Sequence, residues 1–91
     1  MDLSKIGKFI AECRKNKNIT QRELAEKLLI TDRAVSKWER GLSLPDAGIM
    51  LELCNILDIT VNELLNGEKI DMKDYKQKNE ELLIELAKKD T

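Results

Sequence analysis

The 91-residue chain contains no histidine, which removes the usual general base and the commonest metal ligand. It has no glycine-rich phosphate loop and no serine or cysteine in a nucleophile motif, and its carboxylates and lysines are nowhere arranged for acid–base work. Cys13 and Cys54 are too few and too far apart for a metal motif. Each falls on an apolar helical face, so they read as reduced core cysteines. No metal, no cofactor and no enzymatic activity are expected. The polar chemistry is concentrated instead in "TDRAVSKWERG", residues 31–41, which holds the chain's only Trp and two of its four Arg. Wound as a helix, this stretch puts Ala34, Val35 and Trp38 on one face, with Thr31 a turn earlier. Asp32, Arg33, Ser36, Lys37 and Arg40 face the other way. These side chains can do hydrogen-bonding chemistry. Arg and Lys can donate to the major-groove edge of guanine, Ser can bond any acceptor, and Asp can accept from cytosine. A solvated helix surface has the same composition, so the neighbouring elements must decide between the two.

Those elements are helical. Apolar residues recur at spacings of three and four, while strand-length alternation is hard to find. Ile6, Ile10 and Cys13 share a face with Phe9 beside them, which predicts a first helix over about 3–17. "TQRE" at 20–23 is a capping box that starts a second, short helix with Leu24, Ala25 and Leu28 inward. Leu29 and Ile30 make a turn, and Thr31 caps a third helix that runs to Arg40 and is stopped by Gly41. "LSLPD" at 42–46 is a loop in which Asp46 can cap a fourth helix carrying Met50, Leu53, Cys54 and Leu57. Thr60 and Glu63 form a second capping box, opening a fifth helix with Val61, Leu64 and Leu65 that Asn66-Gly67 stops. The fold class is therefore all-α, five short helices in a domain spanning 1–67. Residues 68–91 form a separate charged tail, where Tyr75, Asn79, Leu82 and Leu86 make a heptad-like stripe on an additional helix of about 73–89. The tail is expected to be a dimerisation element or a linker to a further region. The apolar runs are far shorter than the ~18 residues that span a bilayer, and no signal peptide is evident. A cytoplasmic protein without membrane contact is the expectation.

Two short helices joined by a turn of about three residues, the second with an exposed polar face, make a helix-turn-helix. In that motif the second helix enters the major groove and the first lies across the backbone. Thr20 and Gln21 begin the first of the pair, where free amides and the helix dipole attract phosphate and Gln21 adds a side-chain donor. The motifs "IGKFIAECRKNKNITQRELAEKL", "TDRAVSKWERG", "LPD", "LELCNILDIT" and "VNELLNG" follow in unbroken order. Residues 6–67 thereby resemble the phage-repressor type of helix-turn-helix domain (Cro/C1-type, also called the XRE family). The resemblance implies a five-helix bundle that binds a double-stranded DNA operator, generally as a homodimer, and a regulator that is a repressor. It implies base reading by Thr31, Asp32, Arg33 and Lys37, with Ser36 close by. Gln21, with Thr20 beside it, matches a phosphate contact, as do Arg40 and Ser43. Arg14 and Glu39 match an ion pair tying the first helix to the end of the third. Removing one partner costs about 3–5 kcal/mol if that pair is buried and under ~1 kcal/mol if it is exposed. An alternative is a protein-interaction module, an antitoxin or adaptor built on the same fold. It would use exposed Leu42, Leu44 and Leu51, or a protein partner on the tail.

Two positions depart from the family pattern. Leu29 stands where a turn glycine is usual, so a left-handed residue there costs on the order of 1 kcal/mol. "LSL" at 42–44 replaces residues that are often basic, which predicts modest affinity per monomer. Charge bears on the same point. The chain totals 16 basic and 17 acidic residues, but residues 1–41 hold ten basic and six acidic ones, whereas 42–67 hold four acids and no base. A near-neutral total thus conceals a polarised field, which suits one nucleic-acid face.

Overall fold

The computed structural model describes residues 1–70, and the predicted helix over 73–89 lies outside them. Five helices follow one another: α1 (Leu3–Asn16), α2 (Gln21–Leu28), α3 (Asp32–Glu39), α4 (Ala47–Leu57) and α5 (Val61–Asn66). Their starts follow from local chemistry. Asp2, Thr20, Thr31, Asp46 and Thr60 are extended N-caps whose side chains accept an amide from the first turn. At Thr20 and Thr60 the reciprocal bond from the third-position glutamate completes a capping box.

The stops are more varied. After α3, Gly41 adopts φ +74°, the Gly41 amide bonds the Trp38 carbonyl, and the Leu42 amide bonds that of Lys37. This is a Schellman closure, in which a residue without Cβ enters the left-handed region. Asn18 and Asp58 also turn with positive φ, as their short polar side chains tolerate. Leu29 does the same at φ 57°, ψ 40°, without either advantage, and its side chain is 93% exposed. The turn keeps the left-handed geometry, and the strain of a Cβ is tolerated there.

The core is contributed by every helix: Ile6, Phe9, Ile10 and Cys13 from α1, Leu24, Ala25 and Leu28 from α2, and Val35 and Trp38 from α3. Met50, Leu53, Cys54 and Leu57 from α4, Ile59 from the connection and Leu64 from α5 complete it. α3 packs against both α1 and α2, and α5 against α1 and α4. Burial pushes the Cys13 and Cys54 thiols upward in pKa, so both are protonated and unreactive at neutral pH. Leu44, expected on the surface, is half-buried against the core, because Pro45 is buried and draws the loop inward. Leu42 and Leu51 remain exposed. Among the described residues no helix is long and apolar enough to cross a membrane.

Candidate nucleic-acid interface

α3 is held to the molecule by Val35 and Trp38, both buried, and its approach to α1 depends on Gly7. A methyl group at Gly7 would overlap the Trp38 carbonyl oxygen and lie 2.8 Å from that of Glu39. A side chain there would push the end of α3 outward. Sequence reasoning passed over Gly7. The available signal was a glycine inside an apolar helix pattern, which lowers helix stability and so implies a packing reason.

With its inner face fixed, α3 leaves Asp32, Arg33 and Lys37 exposed and Ser36 half-buried. Arg33 and Lys37 stand one turn apart, as do Asp32 and Ser36, giving two adjacent rows. Among the described residues neither Arg33 nor Lys37 enters an ion pair. Thr31 is exposed at the start of the helix, where its hydroxyl oxygen accepts from the Ala34 amide and its own proton remains to donate. Arg40 caps the other end. It is exposed, and its Nε donates to the Ser36 carbonyl at 3.3 Å, laying the guanidinium along the helix. Ser43 is half-buried in the following loop.

α2 starts beside this surface. Thr20 is exposed and Gln21 half-buried, and the amides of Gln21 and Arg22 have no acceptor inside the helix. A part-buried network ties this end in place. Arg14 Nε donates to Glu39 Oε2 at 2.7 Å and its Nη2 to Glu39 Oε1 at 3.0 Å, a two-pronged pair whose side chains are only 11% and 7% exposed. Arg14 Nη1 also donates to the Ile19 carbonyl at 2.9 Å, just ahead of the α2 cap. Gln21 Nε2 donates to Glu39 Oε1 at 3.0 Å. The hydrogen bonds that Arg14 donates to Glu39 raise its pKa, reinforcing the charged form. One carboxylate at the end of α3 thus holds α1 through Arg14 and the first residue of α2 through Gln21, while Arg14 holds the α1–α2 connection. The Gln21 bond was invisible in the sequence, because it joins residues 18 apart through tertiary packing.

Residues 10–64, more than half the chain, match the helix-turn-helix family. The chain belongs to that family. Among other helix-turn-helix proteins, the regulator YqaE of Bacillus subtilis is 41% identical over 59 residues, covering 65% of this chain and 51% of YqaE. The transcriptional activator BcrR of Enterococcus faecalis is 36% identical over 61 residues, 67% of this chain but 30% of BcrR. The chain therefore spans about half or less of the length of these relatives. The crystal structure of the restriction-modification controller protein C.AhdI from Aeromonas hydrophila superposes with a TM-score of 0.63 at 33% identity, covering 69% of this chain and 91% of that one. Among the described residues the architecture is five helices without strands, and it matches the helix-turn-helix fold of that controller protein.

Proposed function

We propose that the chain is a sequence-specific DNA-binding transcriptional regulator that inserts α3 into the major groove. The observation that carries this is the outward face of α3. Arg33 and Lys37 stand exposed one turn apart on a helix whose other face is locked by Val35 and Trp38. On this reading Thr31, Asp32, Arg33, Ser36 and Lys37 read bases, while Thr20, Gln21, Arg40 and Ser43 meet phosphates. The names of the relatives support regulation of transcription and include an activator. Binding represses where the operator overlaps a promoter.

The domain that does this spans 1–67, with 68–91 as its dimerisation element or a linker, and it acts in the cytoplasm. Two copies would read half-sites about 34 Å apart. Few basic residues face the DNA, so the dependence of affinity on salt is shallow and dimerisation supplies the remaining affinity. Sedimentation that returned a monomer at high concentration would remove the dimer from this proposal.

Selection of bound sequences from random DNA, at a stated salt concentration, tests the assignment. Arg33→Ala is expected to cost roughly 1–3 kcal/mol and to relax preference at one or two base positions. Arg40→Ala should weaken all sequences about equally. If neither change alters binding, α3 is not the reading helix. Exposed Leu42 and Leu51 favour a second, compatible reading in which the same domain also docks a protein partner.

A further inference from the structure

We infer that Glu39 is a positioning residue for phosphate recognition, acting through Gln21 by fixing which end of its carboxamide faces the DNA. The inference rests on the DNA-binding reading above. A carboxylate can only accept hydrogen bonds, whereas a glutamine carboxamide has a donating and an accepting end. Glu39 Oε1, 3.0 Å from Gln21 Nε2, therefore selects the orientation in which the amide nitrogen lies inward. One N–H is spent on Glu39, and the second has no acceptor among the described residues. It lies on the first residue of α2, whose own amide and that of Arg22 are also without an acceptor in the helix. With the carboxamide reversed, its carbonyl oxygen would stand in that place and repel a phosphate. Arg14 reinforces the selection. Its guanidinium occupies both oxygens of Glu39 and the Ile19 carbonyl, so the carboxylate has a single placement. Glu39 thus belongs to the interface without touching the nucleic acid.

A double-mutant cycle on the full chain separates this role from simple support of the fold. The probe is a mixed-sequence duplex of about two helical turns at low salt, because phosphate contacts do not depend on sequence. Glu39→Gln keeps the shape of the side chain but can pair with either end of Gln21. It should weaken binding roughly tenfold, the scale of one hydrogen bond to a charged group. In a Gln21→Ala background the same change should add almost nothing. An equal loss in both backgrounds overturns the inference and leaves the DNA-binding reading intact. No binding by the unaltered chain overturns both. If Glu39→Gln does not fold, as followed by Trp38 fluorescence, proton NMR of the Gln21 carboxamide in the unaltered chain decides. One of its two protons should be protected from solvent exchange and stay so when duplex is added. Two freely exchanging protons would overturn the inference.

Discussion

Two capping boxes, Thr20-Gln-Arg-Glu23 and Thr60-Val-Asn-Glu63, begin α2 and α5 with the same local bonds at nearly the same lengths. Their surroundings put them to opposite uses. The first is held from behind, with Arg14 on the carbonyl before it and Glu39 on the side chain after it. Its amide end is thereby presented to solvent in a fixed direction. The second holds what comes after it. Glu63 Oε2 accepts the Ile70 amide at 3.0 Å, Glu68 bonds back to the Glu63 carbonyl, and Lys5 pairs with Glu68 at 3.4 Å. Residues 68–70 are tied down beside the start of α1. A box determines where a helix starts, and the packing around it determines whether that start is a binding surface or an anchor.

The first box depends on a charge pair whose side chains are nearly enclosed, so the largest effect should come from breaking it. Glu39→Ala leaves the Arg14 guanidinium enclosed without its partner. Urea unfolding should show a loss of about 3–5 kcal/mol, and a loss below ~1 kcal/mol would mean that solvent reaches the pair freely. Next is the close approach of α1 to the end of α3. Gly7→Ala should cost about 1–3 kcal/mol by overpacking and, by displacing α3, should also lower DNA affinity. Stability without that cost would place the α1–α3 contact elsewhere.

The two boxes can then be compared directly. Thr20→Ala and Thr60→Ala should each lose ~1 kcal/mol of stability, but only Thr20→Ala should weaken DNA binding beyond that. Equal effects on binding would erase the distinction. The second box also has a signature in acid. Glu63 has its pKa lowered, first by the backbone bond from Thr60 and then by that from Ile70. A depressed folded-state pKa means stabilisation that is complete above the ordinary value of 4.5 and is lost as pH falls through the folded value. The stability difference between the unaltered chain and Glu63→Gln should therefore shrink from neutral pH to about pH 3, in urea titrations at a series of pH values. The smallest effect is at the turn between α2 and α3. Leu29→Gly should raise stability by up to ~1 kcal/mol, since the left-handed strain is relieved and no buried contact is lost. Thermal unfolding at unchanged or lower midpoint would show that the strain is negligible.

Much of this was legible in the order of residues. Caps at Thr20, Thr31, Asp46 and Thr60, the stops at Gly41 and Gly67, and the inward faces of all five helices depend on contacts within a turn or two of chain. The exceptions have particular causes. Leu44 read as exposed because its loop is apolar and polar by turns, and only the burial of Pro45 shows which way the loop folds. Gly7 drew no reading because the clash it avoids is with residues 31 and 32 positions away. Gln21 read as a free donor, and one of its two side-chain N–H groups is already committed to Glu39.

The amino-acid sequence by itself determined that the chain would form five capped helices, that α3 would carry a polar outward face, and that basic residues would precede Gly41 and acidic ones dominate to Gly67. These are properties of spacing, and spacing is local. The tertiary structure alone decided how the start of α2 stands relative to the end of α3, that Glu39 joins the two, and which end of Gln21 is left free. Those outcomes depend on where helices cross, and a crossing is set by the summed packing of the core rather than by any one stretch of residues.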